Sequence, residues 1–183
     1  MKIVAIIADP EPTLYTVQYH GNDKDEFDIA FDDWNDPEWL RLFFEENETD
    51  LDAYNKFHGT NYTIDEAVLK TLDDAEKLED LLYDIACSGS EYLQDMFEQL
   101  HEKEDDYYVL QKSKAKRSWL RLYAIRIDEH LYVFTGGAIK LTRKMNEREH
   151  TKLELDKLFQ VKEFLKRKGL VNKEAFEKLE LGL

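Results

Sequence analysis

Short apolar stretches bounded by turn residues open the chain, and this pattern is typical of β-strands. It predicts strands at 2–8, 14–19 and 27–31, separated by turns that contain proline, glycine, asparagine and aspartate. Three consecutive strands with short connections predict two hairpins at the start of the chain.

The middle of the chain changes to helical spacing. Residues 36–38 have the order Asp-Pro-Glu that starts many helices, and an apolar side follows. Residues 45–62 are acidic and then rich in turn formers, which predicts a loop. The Thr63 and Glu66 pair has the spacing of a capping box, and it opens a helix with apolar residues at three- and four-residue steps to Ile85.

A second helix is predicted from the Ser-Gly-Ser turn at 88–90 to about residue 103, which would complete a helical hairpin. Strands rich in aromatic and β-branched residues follow at 107–112, 118–127 and 131–140. Their short polar connections predict an antiparallel meander.

The chain closes with helical spacing again. Asn146 is predicted to cap a long helix that ends in three cationic residues and Gly169, and a short helix is predicted at 172–179. Together these elements predict an α+β fold, in which an antiparallel sheet packs against the helical hairpin and the long C-terminal helix, with extra N-terminal strands. Residues 1–183 are predicted to form one domain, with a possible subdivision into 1–62 and 64–183.

Charge is divided unevenly along the chain, although the whole carries a net charge of -15. Residues 1–106 hold 30 acidic and 7 basic residues, a net charge of -23, whereas residues 107–183 hold 10 acidic and 18 basic residues, a net charge of +8. The basic part keeps a nucleic-acid partner possible despite the acidic total.

Membrane insertion and secretion are not predicted. The opening apolar run stops at Asp9 and Pro10, well short of the roughly 20 residues that span a bilayer, and no signal-peptide pattern is present. We therefore expect a cytoplasmic protein. The single cysteine, Cys87, cannot form an internal disulfide and is predicted to be a buried structural thiol.

Two segments of the basic part carry a resemblance to a known family. Residues 119–123 read Trp-Leu-Arg-Leu-Tyr, and residues 131–144 form an apolar strand that ends in a turn containing Lys140, Arg143 and Lys144. This pattern, with the predicted element order from residue 64 onward, resembles the RelE/HigB superfamily of toxins from toxin-antitoxin systems. The resemblance implies an mRNA interferase, an endoribonuclease that needs no metal, with RNA or the ribosome and an antitoxin protein as partners.

Three features depart from that pattern. The acidic N-terminal part has no counterpart in it, no tyrosine follows Tyr132, and Leu141 stands where a lysine is usual. Two alternatives therefore stay open: a non-catalytic protein-binding module that kept a RelE-like fold, and an acidic protein that mimics nucleic acid.

RNA cleavage by the 2′-hydroxyl needs a proton acceptor, cations that stabilise charge on the phosphorane, and an acid for the 5′-oxygen. Lys140 is the predicted proton acceptor, Arg121 and Arg143 the predicted charge stabilisers, and Lys144 the fourth member of this phosphate-facing set. Strand alternation predicts that Arg121 shares a sheet face with two aromatic residues suited to stacking on bases. Those residues are Trp119 and Tyr123. The competing interpretations are an ion-paired arginine and a solvated turn.

The densest basic run lies between two predicted strands and suits docking on RNA or the ribosome better than catalysis. Its members are Lys112, Lys114, Lys116 and Arg117. His130 and His150 are weaker candidates for acid or base chemistry. Neither a metal-ligand spacing nor a glycine-rich phosphate loop is present, so the sequence predicts no metal and no cofactor.

The acidic N-terminal part has two possible roles. It could fold over the basic face and restrain RNA binding within the same chain, or it could extend the sheet domain and keep it in solution. The second role is the more common one for such acidic faces.

Overall fold

One mixed β-sheet organises the computed structural model, which describes residues 1–6, 14–88, 98–99, 108–111, 118–128 and 131–180. The strands are β1 (Lys2–Ala5), β2 (Leu14–Gln18), β3 (Glu98–Gln99), β4 (Tyr108–Gln111), β5 (Leu120–Asp128) and β6 (Leu131–Ile139). Their order across the sheet is β1-β2-β6-β5-β4-β3. The α+β class predicted from the sequence is confirmed.

Helices cover both faces of the central strands. They are α1 (Glu26–Asn35), α2 (Pro37–Glu46), α3 (Glu48–His58), α4 (Ile64–Ser88), α5 (Glu149–Lys168) and α6 (Lys173–Glu180), with a 3-10 turn at Met145–Glu147. The helices α1 to α4 bury one apolar cluster against the sheet, and α5 and α6 bury a second cluster on the other face. Because both faces are covered, β5 and β6 are mostly buried along their length.

The predicted meander and the first predicted hairpin are both present. β4, β5 and β6 pair antiparallel, and so do β1 and β2. The prediction of an entirely antiparallel sheet is wrong, however, because β2 runs parallel to β6, with Leu14 opposite Tyr132. The helices between these two strands provide the long connection that parallel neighbours require.

The strand predicted at 27–31 is wrong, because these residues belong to α1. Asp25 caps this helix, and its side chain accepts hydrogen bonds from the backbone N–H groups of Phe27 and Asp28 at 2.9 and 3.1 Å. Phe27, Phe31 and Trp34 are buried at three- and four-residue steps. The five-residue window fits both periods, and burial of the helical set decides between them.

The loop predicted at 45–62 is also wrong, because 48–58 form α3. The helix ends at Gly59, which adopts the left-handed conformation at φ 67°. Leu51 and Tyr54 are its two buried apolar residues. A helix with so few apolar positions gives little periodic signal, which is why its acidic composition looked like a loop.

Several predicted helix boundaries are confirmed. Thr63 and Glu66 form the capping box of α4, with the Thr63 N–H donating to Glu66 Oε2 at 2.9 Å. The Asp36 side chain caps α2, and Gly169 ends α5 in the left-handed conformation. The start of α5 differs from the prediction, because Asn146 lies in the 3-10 turn and the helix begins at Glu149.

The second helix of the predicted hairpin falls almost entirely outside the described residues. Within that stretch the structure describes Glu98–Gln99, which form a strand, so the prediction is wrong at these two positions. The predicted burial of the Cys87 thiol concerns a side chain outside the described part of the chain.

The acidic and basic parts of the chain contribute to one core. Phe27, Trp34 and Phe44 from the acidic part share a cluster with Trp119 and Leu122 from the basic part. A boundary between residues 62 and 64 would leave α1 to α3 on one side and the sheet face that they cover on the other.

Gly136 and Gly137 in β6 allow side chains to approach the sheet closely from both faces. A Cβ atom on Gly136, which has φ +152°, would lie 1.9 Å from Glu154 Oε2, and one on Gly137 would lie 2.6 Å from the Trp34 ring. The pairing register with β5 also shifts next to Gly136. A glycine pair inside an otherwise apolar strand is the sequence pattern of a bulge or a close approach, and this pair shows both.

Candidate functional site

The pairing of β5 with β6 places two of the predicted catalytic cations next to each other. Arg121 lies opposite Ala138, and Lys140 follows the end of β6, where its N–H donates to the Trp119 carbonyl at 2.8 Å. Residues 138 and 140 share a face by strand alternation, so Lys140 is a diagonal neighbour of Arg121. The Arg121 Nη1 group donates to the carbonyls of Ser118 and Leu120 at 2.9 and 2.8 Å, which holds the guanidinium at the end of the sheet.

The turn after β6 brings in the third cation. Arg143 places its guanidinium over the ring of Phe57, 4.3 Å from the ring centre. This distance is well within the range of cation–π contacts. Phe57 is nevertheless 62% exposed, so much of the ring remains open to solvent.

Helix α3 forms the opposite wall of the site. It contributes residues at helical steps of three and four, which therefore lie along one face. These residues are Asp50, Ala53, Tyr54, Phe57 and His58. The rings of Tyr54 and His58 pack 4.2 Å apart, so His58 is held against the wall at the end of α3.

Together these elements enclose a cleft of about 580 Å³, which we call the cationic cleft. Its lining includes four cationic side chains and two carboxylates, a net charge of +2 on a protein of net charge -15. The cations are Arg121, Lys140, Arg143 and Arg148, and the carboxylates are Asp50 and Glu147. A positive cleft on an acidic protein concentrates anionic ligands at that one place.

The environment of Lys140 lowers the pKa of its amine. Burial lowers the pKa of this amine, and the nearby Arg121 charge lowers it further, while Glu147 acts in the opposite direction. A lysine with a lowered pKa has a larger neutral fraction near neutral pH and can accept a proton.

Arg148 is held by an acid. Its Nε and Nη2 atoms donate to the two carboxylate oxygens of Asp50 at 2.6 and 2.5 Å. Asp50 is buried, and this two-point ion pair joins α3 to the start of α5. Arg148 therefore fixes the geometry of the cleft.

Both aromatic residues predicted to stack on RNA are buried. Trp119 is 0% exposed, donates from Nε1 to Thr71 Oγ1 at 2.9 Å and packs edge-on against Phe44. Tyr123 is also fully buried, in the cluster on the other face of the sheet. Arg121 and Tyr123 share a face of β5 as predicted, because strand alternation is unbroken between them. Trp119 does not share that face, because it precedes β5, which begins at Leu120, and its ring lies in the cluster on the opposite face. Neither ring presents a face to a base, which corrects the stacking role.

The structure brings Arg121, Lys140 and Arg143 together, but Lys144 is exposed and does not line the cleft. His150 also lies elsewhere, with Nε2 3.0 Å from the Ile139 carbonyl oxygen. The predicted docking run and one histidine candidate fall outside the described residues. They are Lys112, Lys114, Lys116, Arg117 and His130.

Sequence reasoning missed the contribution of α3 to the cleft. His58 and Phe57 were assigned to a loop, although the cations Lys56 and His58 before Gly59 are a typical helix end. Asp50 and Arg148 are 98 positions apart, so nothing local in the sequence signals their ion pair.

Across the described residues, no group of three or more His, Cys, Asp or Glu is placed to hold a metal ion. In the same part of the chain, no helix has the length and apolar content needed to cross a bilayer. The chain matches no family model, no curated protein and no solved structure.

Proposed function

We propose that the cationic cleft binds the sugar-phosphate backbone of RNA and that the protein is a toxin-like endoribonuclease, as its resemblance to the RelE/HigB superfamily suggests. The observation that carries the proposal is the convergence of Arg121, Lys140 and Arg143 on one concave surface. Arg121 comes from β5, Lys140 from the end of β6 and Arg143 from the turn that follows. In this function all three side chains face a common phosphate.

The cleft contains a group for each step of cleavage by the 2′-hydroxyl. Lys140, with its lowered pKa, accepts the 2′-hydroxyl proton as that oxygen attacks the adjacent phosphorus. Arg121 and Arg143 stabilise the negative charge that grows on the phosphorane oxygens. His58 donates a proton to the 5′-oxygen as the bond from phosphorus to that oxygen breaks. The products are a 2′,3′-cyclic phosphate and a free 5′-hydroxyl.

Phe57 replaces the buried aromatic residues as the base-stacking surface in this proposal. Its exposed ring borders the cleft and already contacts Arg143. A single-stranded base beside the scissile phosphate would stack on it, since base–aromatic stacking contributes about 1–3 kcal/mol per base. Single-stranded RNA is therefore the expected substrate, free or on the ribosome.

The test is cleavage of a labelled single-stranded RNA by the full-length chain in the presence of EDTA, with the product ends identified. We expect Lys140→Met to lower the cleavage rate by about 10²- to 10⁴-fold, the range for loss of an acid–base group. Lys144→Met is the matched control, because it removes the same charge from an exposed position in the same turn that does not line the cleft.

Equal rates for wild type and Lys140→Met would refute the assignment of the base. RNA binding that needs Arg121 and Arg143, without any cleavage, would refute the endoribonuclease and leave the cleft as an RNA-binding site. No RNA binding to the folded protein, on or off the ribosome, would refute the proposal as a whole.

A further inference from the structure

Arg148 lines the cationic cleft but has no part in the cleavage steps proposed above. Its Nε and Nη2 atoms donate to Asp50, and its Nη1 group donates to the Glu147 carbonyl oxygen at 2.7 Å. A guanidinium group carries five N–H donors. The three bonds that Arg148 makes within the described part of the chain therefore leave two donors for a ligand.

The ion pair of Arg148 with Asp50 presents its positive end to the cleft. The Asp50 side chain is 9% exposed, whereas the Arg148 side chain is 44% exposed. The carboxylate thus lies behind the guanidinium, and the cation remains accessible. The two-point pairing also fixes the orientation of the guanidinium before a ligand arrives, so little side-chain entropy is lost when a phosphate binds.

Helix α3 sets the spacing between two cations of the cleft. Arg143 lies over the ring of Phe57, and Arg148 is held by Asp50. Both of these α3 residues line the cleft, and a rise of 1.5 Å per residue places them about 10 Å apart along the helix axis. One phosphate group is too small to contact both guanidinium groups across this distance. Two phosphates of one strand, separated by a nucleoside, are far enough apart to do so.

We propose that Arg148 is a second phosphate-binding residue, so that the cationic cleft holds two successive phosphates of one RNA strand. The scissile phosphate lies at Arg121, Lys140 and Arg143. The neighbouring phosphate lies at Arg148. This inference rests on the proposed function, because it takes the RNA backbone as the ligand of the cleft. A pyrophosphate group is too short to reach both positions, since its two phosphorus atoms share one oxygen.

The test uses three 2′-O-methyl uridine trinucleotides, which cannot be cleaved because the 2′-oxygen is blocked. One has two phosphodiester linkages, and in each of the other two compounds one linkage is an uncharged methylphosphonate. Each compound is titrated into the ¹⁵N-labelled full-length chain, and the amide signals of residues 140–148 report on the cleft. We expect the two-phosphate compound to bind about tenfold more tightly than either single-phosphate compound, the factor for one hydrogen bond to a charged group.

Three variants locate the second phosphate. Arg148→Gln should bind all three compounds with nearly equal affinity, because the additional phosphate has lost its partner. The double variant Asp50→Asn/Arg148→Gln should behave in the same way, and it avoids the buried, unpaired carboxylate that the single change leaves. Lys152→Gln is the matched control, since it removes one positive charge from an exposed position one helical turn further along α5, outside the cleft. This control should keep the tenfold preference of wild type for the two-phosphate compound, which we expect at about that factor.

Equal binding of the three compounds to wild type, or no binding of any, would overturn the second phosphate position. A preference that persists in Arg148→Gln and in the double variant would overturn it as well, because Arg148 would then only hold the cleft together. The cleavage assay decides the proposed function separately. RNA cleavage without the preference for two phosphates would remove the second position alone, whereas the preference without cleavage would keep that position and refute the endoribonuclease.

Discussion

Replacement of Glu154 by glutamine should remove a pH-dependent loss of stability. The carboxyl is buried against Gly136, and its pKa of about 7 compares with an ordinary value of 4.5. The folded state holds the Glu154 proton more tightly than the unfolded state does. The contribution of this carboxyl group to the free energy of unfolding is therefore greatest at low pH. The free energy of unfolding falls as the pH rises from the unfolded to the folded pKa, and the loss is complete above the folded pKa.

The size of the effect follows from the same two values. A shift of about 2.5 pKa units corresponds to roughly 3 kcal/mol in total, of which about 2 kcal/mol falls between pH 5.5 and 8.5. Glutamine has the shape of the protonated acid and does not titrate. From pH 5.5 to 8.5, wild type should therefore lose about 2 kcal/mol of unfolding free energy relative to Glu154→Gln.

The measurement is urea denaturation at several pH values, since urea adds no ionic strength that would screen the charges. Other titrating groups are common to both proteins and cancel in the difference. Glu163→Gln provides the control, because this exposed carboxyl on the same helix should give a difference that barely depends on pH. Parallel stability curves for wild type and Glu154→Gln would show that Glu154 stays ionised in the fold, and the reasoning from burial would then be refuted.

Three further predictions concern the core. Trp119→Phe should cost about 1–3 kcal/mol in unfolding free energy, because Thr71 loses its indole donor, and a cost near zero would contradict this. Gly137→Ala should cost about 1–3 kcal/mol through its clash with Trp34, which thermal denaturation can measure, and an unchanged melting temperature would contradict this. A chain limited to 64–183 should lack a cooperative unfolding transition in circular dichroism, because it loses half of one core, and a sharp transition would instead support an independent C-terminal unit.

Elements with dense, regular patterns were predictable from the sequence. The capping box at Thr63 and Glu66 and the long apolar stripe behind it identified α4, and runs of aromatic and β-branched residues identified β5 and β6. The short helices α1 and α3 were not, because the residues of α1 fit more than one period and α3 has too few apolar positions to give a periodic signal. Their structure is decided by burial against the sheet, which a local window does not contain.

The residues of the candidate site were likewise predicted only in part. Arg121, Lys140 and Arg143 were found because they stand on or beside two recognisable strands. The α3 wall was missed with the helix itself. The burial of Trp119 depends on where β5 begins, since a difference of one residue moves a side chain to the other face. Arg148 pairs with a residue from the other half of the chain, a contact that only the tertiary structure reveals.

The parallel pairing of Leu14 with Tyr132 has a consequence for how the protein is made. A ribosome synthesises β2 early and β6 near the end, so the first hairpin and the helices after it emerge long before their sheet partner. Until then the apolar sides of α1 and α2 can pack on α4 but lack the sheet face that they cover in the folded protein. We expect the nascent N-terminal half to need chaperone protection. We also expect folding to be slow for a chain of this length, because the pairing of β2 with β6 joins residues far apart in the sequence.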